Sequence, residues 1–114
     1  MPKDFVELTK EIGQCVSVLQ DEMPEVMQGF RAMHKSANRD GALSHKTKEL
    51  IALAIAVANR CDDCIGAHVE KLIQLGMTNA ELLEMLEVAI YMGGGPSLMY
   101  ATHAIQAFDQ LGKK

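Results

Sequence analysis

The stretch Cys61-Asp62-Asp63-Cys64-Ile65-Gly66-Ala67-His68 holds a C-x-x-C pair with a histidine four residues beyond its second cysteine. Downstream, Ile65 to Leu75 has the spacing of an amphipathic helix, which puts the motif on that helix's first turns. Residues three and four apart share a helical face. Cys61, Cys64 and His68 therefore line one stripe. At about 1.5 Å rise per residue, His68 lies about 6 Å along the axis from Cys64 and about 10 Å from Cys61. The imidazole thus pairs with the inner thiol, and Cys61 is left at the helix start. Two thiols at i and i+3 can close a disulfide with little backbone change. The attacking species in thiol chemistry is the thiolate. The helix dipole favours it at Cys61, and His68 favours it at Cys64, as proton acceptor or as imidazolium. The two arguments favour different cysteines, and spacing leaves both open. Asp62 and Asp63 oppose a thiolate at either.

Glu49 is a candidate third member that would orient His68. In an antiparallel hairpin turning near Arg60, Glu49 lies about 16 Å down one arm and His68 about 10 Å down the other. Helix tilt or a shifted corner must absorb that mismatch. The competing use of these residues is a metal site, with Cys61, Cys64 and His68 as ligands and Glu49 or His45 as the fourth. Structural zinc commonly takes a second Cys or His pair, and Cys15 is the only other cysteine. Haem attachment needs the histidine directly after the second cysteine and is excluded.

The elements that must position these residues read as helices. Asp4 to Leu19 carries Phe5, Val6, Leu8, Ile12, Cys15, Val16 and Leu19 at helical spacing, with Cys15 expected in the core. Pro24 opens a second helix whose inner stripe is Val26, Met27, Phe30 and Met33, ending near His34. Ser36 to Leu43 has loop chemistry. Ser44 is the expected N-cap for a third helix to Asn59, apolar on every side from Leu50 to Ala58. Burying it all round is hard in a small domain, which hints at a partner chain. The motif helix ends at Gly76. Thr78-Asn79-Ala80-Glu81 is a capping box for a fifth helix. Gly93-Gly94-Gly95-Pro96 follows a helix and lacks the Lys-Ser/Thr ending of a phosphate loop, so it reads as a turn. A sixth helix runs from Ser97 to about Leu111, before a frayed Lys113-Lys114 tail. His103 is expected to pack or meet a partner chain, His34 and His45 to be solvated, and the methionines to fill the core.

The chain has 114 residues, 48% of them hydrophobic and 4% aromatic, with no Trp. That length suits one domain. Period-two strands are absent, so the expected fold is all-α. A net charge of −4 gives no electrostatic case for nucleic acid. Three cysteines do not make a secreted disulfide framework. No signal pattern opens the sequence, and the longest apolar run, Leu50 to Ala58, is too short to span a membrane. The expected setting is a reducing cytoplasm, where C-x-x-C serves redox or metal chemistry.

The stretch from Lys46 to about Phe108 resembles the alkylhydroperoxidase D-like members of the carboxymuconolactone decarboxylase family. The marks are Lys48-Glu49-Leu50-Ile51 before an Ala/Val-rich helix, then Cys61-x-x-Cys64-x-x-x-His68, then Leu75-Gly76-Met77-Thr78 and the helix Glu81 to Met92. The resemblance implies one domain over residues 1–114, an all-α fold of about six helices, and homo-oligomers, trimers or hexamers. It implies a thiol-dependent peroxidase or disulfide oxidoreductase with no cofactor and no metal. In that scheme Cys64 attacks a hydroperoxide, Cys61 resolves the sulfenic acid to a disulfide, and an external dithiol of thioredoxin or lipoyl type reduces it. Glu49 and His68 relay the proton from Cys64, and some methionines line a hydroperoxide pocket. Asp63 stands where the family's best-described peroxidases carry a histidine. The related lactone decarboxylases lack the cysteine pair, so decarboxylation is not expected. The alternatives are a non-catalytic redox-sensing or scaffolding oligomer and a metal-binding module.

Overall fold

A computed structural model describes residues 3–113; Met1, Pro2 and Lys114 of the expected frayed tail lie outside the described residues. The chain order is α1 (Phe5–Glu22), α2 (Pro24–Ala37), α3 (His45–Ala58), α4 (Asp62–Gln74), α5 (Asn79–Gly93) and α6 (Gly95–Gly112). The described residues contain no strand.

Side-chain caps fix most helix starts. The Asp4 carboxylate accepts the Glu7 N–H at 3.0 Å, and Ser44 Oγ accepts the Thr47 N–H at 3.1 Å. The capping box is complete: Glu81 N–H donates to Thr78 Oγ1 at 3.1 Å, and Thr78 N–H donates to Glu81 Oε1 at 2.8 Å. Each such cap stabilises by about 1 kcal/mol. The triple glycine is tighter than a loop: α5 ends at Gly93, α6 begins at Gly95, and Gly94 alone turns the chain. Its φ of 71° with ψ of −150° is backbone that only glycine adopts easily.

The core lies among α3, α4, α5 and α6, with α1 laid across α4 and α6. Leu53, Val57, Ile65, Val69, Leu72, Leu82 and Leu86 fill it, and Ala101, Ala104 and Ala107 let α6 approach closely. Phe5 seals one end. The α1–α4 approach needs Gly66, where a Cβ would stand 3.0 Å from Thr9 Cγ2 and 3.2 Å from Phe5 Cδ1.

Three expectations fail here, for one reason. Cys15 is exposed rather than core. The stripe Val26, Phe30 and Met33 is more than half exposed, because α2 packs against α1 alone. Helix α3 is a different case: Ile51 and Ile55 are exposed in the single chain, which leaves the face that the sequence reading assigned to a partner chain. Met77 is the one described methionine in the buried core, while Met23, Met33, Met92 and Met99 are exposed. Periodicity gives the direction of an apolar face; whether this chain covers it depends on how many helices remain to do so.

Candidate functional site

The corner between α3 and α4 determines where the sulfurs sit. Arg60 N–H donates to Val57 O at 3.1 Å and Cys61 N–H to Ala56 O at 3.1 Å, which closes α3 with a Schellman motif. That motif needs a left-handed residue, and Arg60 supplies it with φ 56°. Gly76 takes the same position at the end of α4, with φ 84°. Cys61 therefore ends one helix and caps the next: its Sγ accepts the Cys64 N–H at 3.2 Å. No linker residue separates the two roles, so the first turn of α4 is held rigidly against the last turn of α3.

Cys61 and Cys64 are joined by a disulfide with a Cα separation of 5.2 Å. One helical turn gives that spacing, inside the range of about 4.4–6.8 Å that a bridge requires. The cysteines and His68 share one cavity of about 230 Å³ with Ala52, Ile55, Ala56 and Asn59. Its walls opposite the motif are Ala52, Ile55 and Ala56 of α3 and the capping residue Asn59.

His68 is held from behind. Its Nδ1 lies 2.7 Å from Glu49 Oε1, and Glu49 is 1% exposed. The mismatch expected from helix lengths is absorbed, and the two side chains meet directly. A buried carboxylate must be paired. With Nδ1 engaged by the carboxylate, the imidazole's other nitrogen, Nε2, is left for a proton.

Two further groups were missed by sequence reasoning. His45, expected to be solvated, has its Nε2 buried and turned toward the second oxygen of Glu49, at 3.4 Å. The signal was present, since His45 and Glu49 are four apart on one helix face. Asp62, read as opposing a thiolate, is paired with Lys3 Nζ at 3.1 Å and hydrogen-bonded to His103 Nδ1 at 2.7 Å. His103 packs edge-on against Tyr100, as its packing expectation required, and also ties α6 to the start of α4. No short-range pattern predicts that bond, because 41 residues separate its ends. Asp63 faces α1 instead, beside Leu8, Ile12, Cys15 and Leu19. Among the described residues, no group of three His, Cys, Asp or Glu side chains is arranged to hold a metal ion. No helix among them is long and apolar enough to cross a membrane.

The sequence model of the carboxymuconolactone decarboxylase family matches residues 24–107, which adds α2 to the stretch recognised from motifs. The fold is similar to the apo form of a carboxymuconolactone decarboxylase family protein of Legionella pneumophila, with TM-score 0.93, 51% identity, and coverage of 95% of this chain and 96% of that one. A Thermotoga maritima family protein, described with a suggested part in antioxidative response, gives TM-score 0.77 at 31% identity, over 97% of this chain and 92% of its own. An uncharacterised protein of Cupriavidus necator is 39% identical over 97% of this chain and 98% of its own length. On the family match, the whole-length fold and these identities, the chain belongs to the carboxymuconolactone decarboxylase family.

Proposed function

We propose that the protein is a thiol-dependent peroxidase and disulfide oxidoreductase that works through Cys61 and Cys64. The observation that carries this reading is the bridged sulfur pair in one small cavity with His68, whose imidazole is backed by the buried Glu49. The antioxidative description of the Thermotoga maritima relative supports the same direction.

In the reduced protein, the Cys64 thiol gives its proton to His68 Nε2, and Glu49 stabilises the resulting imidazolium. The Cys64 thiolate attacks the outer oxygen of an alkyl hydroperoxide. An S–O bond forms, the O–O bond breaks, and the leaving alkoxide takes a proton to become the alcohol. Cys61 sulfur then displaces hydroxide from the sulfenic acid; water leaves and the Cys61–Cys64 disulfide forms. An external dithiol of thioredoxin or lipoyl type returns two electrons by thiol–disulfide exchange. The small cavity suits a hydroperoxide head group and leaves a sulfur open to a dithiol. Exposed apolar surface on α2, α3 and α5 supports assembly as a homo-oligomer, which the resemblance puts at a trimer or hexamer.

Steady-state turnover with cumene hydroperoxide and dithiothreitol tests the reading. Cys64→Ser abolishes turnover, and His68→Gln lowers kcat by about a hundredfold or more. A second reading, a redox sensor, is favoured by Asp63, an acidic residue where the resemblance to the family's peroxidases would put a histidine. It predicts no turnover, with disulfide formation changing the assembly state.

A further inference from the structure

We propose that His45 is the outer member of the proton relay and gives the site a proton exit separate from the cavity that holds the sulfurs. The inference rests on the redox reading above and adds a positioning residue to it.

Glu49 is the hinge of the argument. Its carboxylate is 1% exposed, and each of its oxygens faces a different imidazole. Oε1 is bonded to His68 Nδ1 at 2.7 Å. Oε2 faces His45 Nε2 at 3.4 Å, slightly beyond a formed hydrogen bond. That His45 nitrogen is the only buried side-chain N or O among the described residues with no hydrogen-bond partner. A buried ring nitrogen has little reason to stop there unless the contact closes when a proton arrives. The His45 backbone is fixed for this, since its N–H donates to Asp40 Oδ1 at 2.8 Å. Its side chain keeps 28% of its surface in solvent. One edge of the ring therefore meets the buried carboxylate and another meets water.

His68 is also partly exposed, at 26%, but it lines the cavity beside the sulfurs. A hydroperoxide or dithiol in that cavity covers the surface through which His68 would exchange protons with water. His45 does not line the cavity, so its route stays open while the cavity is full. The transfer moves one proton and no electrons. The thiol proton of Cys64 passes to His68 Nε2, the Nδ1 proton passes to Glu49 Oε1, and rotation of the protonated carboxyl about Cγ–Cδ carries that proton to His45 Nε2. His45 releases one from its far nitrogen to water. Run backwards, the same chain supplies the proton that Cys64 takes when the disulfide is reduced.

The test measures the two half-reactions separately by stopped flow, with thiol counting and a pH-indicator dye. One is oxidation of the reduced protein by cumene hydroperoxide, and the other is reduction of the disulfide by dithiothreitol. His45→Ala should slow both by about tenfold. Imidazole in solution should restore the rates. His45→Gln keeps a polar contact to Glu49 but cannot pass a proton, so it should be as slow as His45→Ala. Full rates in either variant, or a loss that imidazole does not recover, overturn the proposal. Oxidation that is fast and indifferent to His45 sinks the exit while leaving the peroxidase reading intact. A wild-type protein inert to hydroperoxide, yet reduced by dithiothreitol with this His45 dependence, sinks the peroxidase reading and keeps the exit. Inertness in both half-reactions overturns both.

Discussion

The α3–α4 hairpin and the α1–α2 arm are both amphipathic helix pairs, and they end in opposite states. In the hairpin, Leu53, Val57, Ile65, Val69 and Leu72 are buried, and the corner is closed by main-chain bonds around Arg60. In the arm, Val26, Phe30 and Met33 stay exposed, and a side-chain hydrogen bond from Arg31 to Gln20 links the two helices. The hairpin can hold a side chain in place because α1, α5 and α6 pack against it. The outer helix of the arm, α2, has apolar surface that no helix of the chain but α1 approaches. Chemistry that needs fixed atoms belongs to the packed side of the first region, and the second adds exposed apolar surface for association to that on α3 and α5.

Mutations separate the two regions. Leu72→Ala opens a cavity in the hairpin core and should lower unfolding stability by about 2–5 kcal/mol in urea titration. Phe30→Ser in the arm should change protomer stability by less than about 0.5 kcal/mol. The same substitution should weaken self-association by about ten- to a hundredfold in sedimentation equilibrium, if a second copy covers that face. Equal losses of protomer stability from both variants would erase the distinction.

How far the sequence announced these regions follows the range of each interaction. The caps at Ser44 and Thr78, the helix stop at Gly76 and the C-x-x-C pair were legible because each is set by neighbours within one turn. So was the stripe joining Cys64 and His68. The Glu49–His68 bond was legible as a candidate and not as a distance, because the corner that sets it depends on a left-handed Arg60. The Asp62–His103 bond joins distant helices and left no local mark. Cys15 misled because an apolar stripe looks the same whether this chain or another one covers it.

Smaller effects sharpen the picture of the corner. Arg60→Gly relieves a left-handed conformation that a side chain disfavours, and should raise stability by about 1 kcal/mol by thermal unfolding. A loss of stability would mean that the Arg60 side chain does more than turn the chain. The smallest effect concerns the box that opens α5. Hydrogen bonding from Lys46, first, and from the Thr78 backbone hold the Glu81 carboxyl below its ordinary range. A depressed carboxylate stabilises the fold at pH above its unfolded value, and that contribution fades as pH falls through the folded one. Wild type should therefore exceed Lys46→Met in stability near neutrality, with the gap closing below about pH 4. A gap that widens on acidification would contradict the assignment.

The central claim is that Cys61 and Cys64 act as one redox unit. Mass spectrometry with thiol labelling, before and after one equivalent of cumene hydroperoxide is added to the reduced protein, tests it most directly. The account predicts that Cys61 and Cys64 both lose their labels together and become linked, while Cys15 keeps its own. Two unchanged thiols at Cys61 and Cys64, or oxidation falling first on Cys15, would contradict it.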